Sequence, residues 1–124
     1  MPLYTVITQE NALSGEVKRK MAGEITRIHA AVMNVPKNFV RVVFLSYPEG
    51  SGYAAGMEAP TAALNCVLRS GHGAAEKKDM LQQLWAMVQQ LTGIATDQLA
   101  ISLQEIPSSN AMEMGEIMQA VGSD

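Results

Sequence analysis

Apolar positions follow two different periods along this chain. "PLYTVI" near the start alternates apolar and polar residues and is rich in β-branched and aromatic types, which predicts a strand. "ENALSGE" breaks it, with Ser14 placed to cap a helix. Val17, Met21, Ile25, Ile28 and Val32 then recur at helical spacing on one face, while Lys18, Arg19, Lys20 and Arg27 keep their charges in water. Asn34 and Pro36 end this helix, and "FVRVVFL" follows as a second strand. "SYPEGSGYAAGMEAP", rich in Gly and Pro, is a long loop, and a loop of that length is expected to be functional or mobile. "TAALNCVLR" predicts a third strand and "SGHG" a turn. Leu81, Leu84, Trp85, Val88 and Leu91 mark a second amphipathic helix that stops at Gly93. "LAISLQEI" is a fourth strand, and "PSSNAMEMGEIMQAVGSD" a tail with one short helical turn.

The order is strand, helix, strand, loop, then strand, helix, strand. The junctions also match, because "NVPKNFVRV" and "GIATDQLAI" both run from a helix stop through a polar stretch into a strand. Asn34 corresponds to Gly93, Val35 to Ile94, Asn38 to Asp97, Val40 to Leu99 and Val42 to Ile101. This is a weak internal repeat of a βαβ unit. It predicts one α/β (α+β) domain over residues 1–124, with halves at about 2–47 and 61–106 and a C-terminal tail. Crossover connections make the paired strands parallel within each half. Two such halves give a four-stranded sheet with both helices on one face. The other face then needs cover, which predicts self-association.

Composition fits a folded domain: of 124 residues, 48% are hydrophobic and 17% charged. A net charge of −3 argues against non-specific nucleic-acid binding. No apolar run is long enough to span a bilayer and no signal peptide is evident, so a reducing cytoplasm is the expected compartment. The single Cys66 sits in the apolar run "AALNCVL" and reads as an inert buried thiol.

The chain carries no dinucleotide fingerprint, P-loop, nucleophile elbow or paired Cys motif, and His29 and His72 lack metal-ligand spacing. No cofactor or metal is expected. Polar residues at element edges remain. Pro2 is either the stiff first residue of an edge strand or, once Met1 is removed, a secondary amine able to carry a proton. His29, beside the helical stripe, is either a boundary residue of the core or a ligand-holding group. Arg69 ends the third strand, as a solvated strand end or as a planar clamp for a carboxylate. Glu113, among apolar neighbours, is either a surface carboxylate or a general base.

"MPLYTV", "ITRIHAAV" around His29, "LRSGH" around Arg69 and "QEIPSSNAMEMG" around Glu113 together resemble the tautomerase superfamily of N-terminal-proline enzymes. The nearest subgroup is that of the cis-3-chloroacrylic acid dehalogenase-like proteins. The resemblance runs from the N-terminus to about Gly115. It implies the tautomerase/MIF-like tandem βαβ fold, usually assembled as a trimer, acting on small carboxylates. By position it implies Pro2 as the catalytic proline, His29 and Arg69 as holders of the substrate carboxylate, and Glu113 as the group that activates water. Two positions depart. His72 stands where the family has a second arginine, and Ser102 where it has a tyrosine that positions water.

His72 cannot offer a guanidinium fork, and Ser102 is shorter than a tyrosine. One lost charge-assisted contact costs about 1.5–3 kcal/mol, roughly one to two decades in rate or affinity. The leading expectation is therefore a tautomerase of 2-oxo and enol carboxylic acids. Hydration or hydrolytic dehalogenation of unsaturated acids is the alternative, with Pro2 as acid and Glu113 activating water. The third is a non-catalytic oligomeric module. The Pro2 pKa decides between the enzyme roles: the Arg69 charge pushes it down and the Glu113 charge pushes it up. The loop from Ser46 to Pro60 is expected to shape the pocket.

Overall fold

The computed structural model describes residues 2–119. Strand β1 (Leu3–Gln9) leads into helix α1 (Gly15–Met33), a 3₁₀ turn at Lys37–Phe39 and strand β2 (Arg41–Tyr47). A hairpin of β3 (Tyr53–Ala54) and β4 (Met57–Glu58) follows. The second half repeats this order: β5 (Ala62–Arg69), α2 (Ala74–Thr92), β6 (Leu99–Ile106), a 3₁₀ turn at Ser108–Asn110, then β7 (Met112–Glu113) and β8 (Glu116–Ile117).

The four long strands form one mixed sheet in the order β2-β1-β5-β6. Each βαβ half pairs its own strands in parallel, and β1 and β5 join the halves antiparallel. Pro2 therefore precedes an internal strand, and the edge-strand reading of that residue is overturned. The second strand also starts later than the apolar run suggests. The Asn38 region turns as a 3₁₀ helix through Phe39, and pairing begins at Arg41.

The helix ends follow from their residues. Ser14 Oγ accepts from Val17 N–H at 3.1 Å and caps α1. Asn34 (φ 54°) and Gly93 (φ 67°) close the two helices in the left-handed conformation that short polar residues and glycine tolerate best. Each helix is 19 residues long, and one sequence offset relates Met21 to Met80, Ile25 to Leu84 and Ile28 to Met87, all buried. These residues pack on Tyr4, Val6, Leu64, Cys66 and Leu68 of the central strands, with Val42, Phe44, Ile101 and Leu103 at the flanks. A large apolar side chain so buried is stabilised by about 1.5–3 kcal/mol over an exposed one. Burial also pushes the Cys66 thiol up to about 12, which keeps it protonated and unreactive.

Alternation along the strands sends the other set of side chains to the helix-free face. There Leu3, Ile7, Val43 and Leu45 stay 38–51% exposed. No helix among the described residues is long and apolar enough to cross a membrane.

The two hairpins are absent from the sequence-based expectation. Each turns on two consecutive left-handed residues, Ala55 and Gly56 in one, Met114 and Gly115 in the other. Ala59 N–H bonds Gly52 O at 2.9 Å in the first, and Met118 N–H bonds Ala111 O at 2.8 Å in the second, at the same offset that relates the helices. The repeat thus extends beyond the βαβ units. The expected short helical turn of the tail is the one at Ser108–Asn110; residues 120–124 of that tail lie outside the described residues.

Candidate active site

The site sits where β1 begins and β5 ends. The pairing of Leu3 with Val67 continues to set Pro2 level with Leu68, next to Arg69. Pro2 is fully buried and its carbonyl accepts from Arg41 N–H at 3.1 Å. Met1, whose removal would free the Pro2 nitrogen, lies outside the described residues.

Beside this strand end lies a cavity of about 340 Å³. Arg69 and Glu113 both line it. Arg69, the last residue of β5, donates from Nη1 to the Gln119 main-chain oxygen at 2.6 Å, and Gln119 lines the same cavity. Glu113 is brought in by the turn at Met114 and Gly115, which folds β7 back on β8 and sets Glu113 opposite Glu116. Val35, Phe39, Met114 and Ile117 supply an apolar wall. One cation, a carboxylate and an apolar wall can hold a small carboxylic acid by its charged end.

Behind the start of β1, His29 projects from α1 into the core and is 1% exposed. Its Nδ1 lies 2.7 Å from the Tyr4 hydroxyl, and the two rings meet edge to face at a centroid distance of 5.5 Å. His29 is therefore a core residue with a specific polar partner, not a half-solvated boundary residue. Its pKa falls to about 4, because burial penalises the imidazolium and the charge on nearby His72 adds to the penalty. His72 follows β5; its ring is 5% exposed and its Nδ1 stands 3.8 Å from Glu76 Oε2. Next to it, Lys77 donates to Glu105 at 2.6 Å and holds that carboxyl below the usual carboxylate range.

Ser102 is apart from this group. It lies on the helix-free sheet face and donates to Asn65 Oδ1 at 2.8 Å. From Asn65 to Arg69 is four residues along β5, about 13 Å at strand spacing. The Ser46–Pro60 segment is also apart, since it joins the far ends of β2 and β5 and lends no residue to the cavity. The expectation that it shapes the pocket does not hold within one chain. Tyr4 is the residue that sequence reasoning missed. It was legible only as a strand residue, yet alternation puts it on the helix-facing side with Val6, and a buried tyrosine hydroxyl needs a partner there.

The family described as "Putative oxalocrotonate tautomerase enzyme" matches residues 1–112. The crystal structure of native Ps01740 is similar at 29% identity and a TM-score of 0.88, over 90% of this chain and 99% of that one. N1, a member of the cis-3-chloroacrylic acid dehalogenase (cis-CaaD) family, is similar at 26% identity and a TM-score of 0.91, over 97% of this chain and 85% of that one. A fused 4-OT, solved as a symmetric trimer, shares the fold at 20% identity and a TM-score of 0.86, over 98% and 99% of the two chains. No curated protein matches the sequence.

Proposed function

We propose, because this chain belongs to the tautomerase superfamily, that it is a tautomerase acting through the Pro2 nitrogen on 2-oxo and enol carboxylic acids. The observation that carries the reading is the shared cavity of Arg69 and Glu113, one strand end from Pro2. Once Met1 is removed, the ring nitrogen is a free secondary amine. It takes the proton of an enol hydroxyl and returns one to the carbon at the other end of the double bond. The O–H becomes C=O and the C=C becomes C–H, with no net change in atoms or electrons. Arg69 holds the substrate carboxylate as a charge-assisted pair, which fixes the reacting carbon relative to the amine. The apolar wall takes the carbon chain, and no cofactor is called on.

Glu113 supports a second reading, in which it activates a water against an unsaturated acid while Pro2 acts as the cationic acid. Similarity to a protein of the cis-CaaD family agrees with that chemistry. The leading reading is preferred because it asks less of the residues present. Ketonisation needs the amine and the clamp alone. Hydration also needs a positioned water, and Ser102 is turned toward Asn65 on another face. We further infer a homo-oligomer, a trimer by analogy with the fused 4-OT structure, whose contacts cover the apolar sheet face.

The test compares Met-free protein with protein acylated on the Pro2 nitrogen. The free form should ketonise phenylenolpyruvate faster than it releases halide from 3-haloacrylates, and the acylated form should lose roughly two to four decades of that rate. Equal ketonisation by the two forms would show that Pro2 is not the base. Faster halide release than ketonisation would put the hydrolytic reading first.

A further inference from the structure

We propose that Tyr4 is a positioning residue: its buried hydroxyl donates to Nδ1 of His29 and fixes the imidazole as the neutral tautomer with its proton on Nε2. Any effect of this tautomer on catalysis rests on the tautomerase reading; the tautomer itself does not.

A phenol has one proton to give. The hydroxyl of Tyr4 has His29 Nδ1 at 2.7 Å and Met80 Sδ at 3.6 Å. The imidazole nitrogen is the stronger acceptor and lies at the short end of hydrogen-bond distances, while the thioether is a weak acceptor. Tyr4 is 0% and His29 1% exposed, so no water competes and the low dielectric strengthens the bond. Burial also drives the Tyr4 phenol well above its ordinary range, so it stays protonated and remains a donor. With Nδ1 occupied as an acceptor, the ring proton of a neutral His29 belongs on Nε2. That nitrogen makes no hydrogen bond within the described residues.

The consequence is a division of roles. A His29 so fixed can donate from Nε2 but cannot accept a proton there, so it is not the base; under the tautomerase reading that part falls to the Pro2 amine. The titratable groups that bear on this pair among the described residues are Cys66 on β5, beside the Tyr4 hydroxyl, and His72 ahead of α2 with its neighbour Glu76. Met80 of α2 packs on the same hydroxyl.

Ring ¹H–¹⁵N spectra decide the matter, because the chain has only two histidines and a His72→Asn variant assigns them. Wild-type His29 should show an unprotonated Nδ1 and a protonated Nε2 from pH 6 to pH 8. In Tyr4→Phe, which keeps the ring and loses only the hydroxyl, the two tautomers should mix. The His29 pKa should also rise, because a donor that favoured the neutral form is gone. Ketonisation kcat/KM should fall about tenfold, the scale of one buried hydrogen bond. A wild-type His29 protonated on Nδ1 would overturn the proposal, as would a Tyr4→Phe spectrum with an unchanged tautomer. If Tyr4→Phe does not fold, the wild-type spectrum decides alone. An acylated Pro2 that still ketonises would sink the tautomerase reading and leave this tautomer measurement standing.

Discussion

The His29 side chain shows how one buried group sets a pH limit on the whole fold. Its pKa drops from 6.5 to about 4, first through burial and then through His72. Above about pH 6.5 both native and unfolded chains hold it neutral, and it costs nothing. As pH falls toward 4 the unfolded chain takes a proton that the native chain refuses. Native stability therefore falls across that window, by up to about 3 kcal/mol in all, and the loss levels off below the native pKa. A His29→Gln variant should lose this dependence. Urea midpoints measured between pH 7 and pH 4 would check it: the wild-type midpoint should fall more steeply than that of the variant. Parallel slopes would mean that His29 titrates normally and is not sealed by Tyr4 and the core. The helical stripe of the sequence foretold that His29 would lie near the core edge. It could not foretell full burial, because that depends on Tyr4, 25 residues earlier, arriving beneath the same turn.

At the scale of elements, the long strands and helices were legible and the hairpins were not. Seven or eight alternating residues leave a pattern, as do 19 residues with an apolar stripe. A two-residue strand leaves none. Its only trace is the turn, and here the first left-handed position of each turn holds Ala55 or Met114 instead of Asn or Gly. That is why the sequence shows a tail around Glu113 where the structure has a folded hairpin, with Glu113 lining the same cavity as Arg69. The repeat supplies its own control. Gly56 and Gly115 share φ +79°, and a Cβ at either would meet nothing within 4 Å. Alanine at each should therefore pay only the left-handed backbone penalty, about 1–2 kcal/mol. Both variants should lose similar thermal stability. Only Gly115→Ala should also lose ketonisation rate, by several-fold or more, because it disturbs the hairpin whose Met114 and Ile117 form the wall that takes the substrate's carbon chain. Equal activity loss in both variants, or none in Gly115→Ala, would separate the second hairpin from the site.

For the molecule as a whole, the sheet is finished on one side only. Both helices cover one face, while Leu3, Ile7, Val43 and Leu45 remain 38–51% exposed on the other. Single exposed apolar residues are ordinary, but four from two paired strands form a continuous patch, which marks an association surface. The premise was legible in the sequence, since βαβ crossovers that put both helices on one side must leave the other bare. It could not count subunits, because that depends on how curved sheets meet. The same face bears Ser102, so any part it plays at a site would be across a contact with another copy, not within its own chain. Leu45→Asp places a charge at the most exposed of the four positions, on edge strand β2, where the isolated chain leaves it half in water. In a monomer that change should shift stability by no more than about 0.5 kcal/mol. In a trimer that covers this face it buries an unpaired charge in each subunit, which is costly. Sedimentation at micromolar concentration should thus show a trimer for the wild type and smaller species for Leu45→Asp, with a lower melting temperature. A wild type that sediments as a monomer would leave the apolar face without its cover and would remove the assembly from the reading.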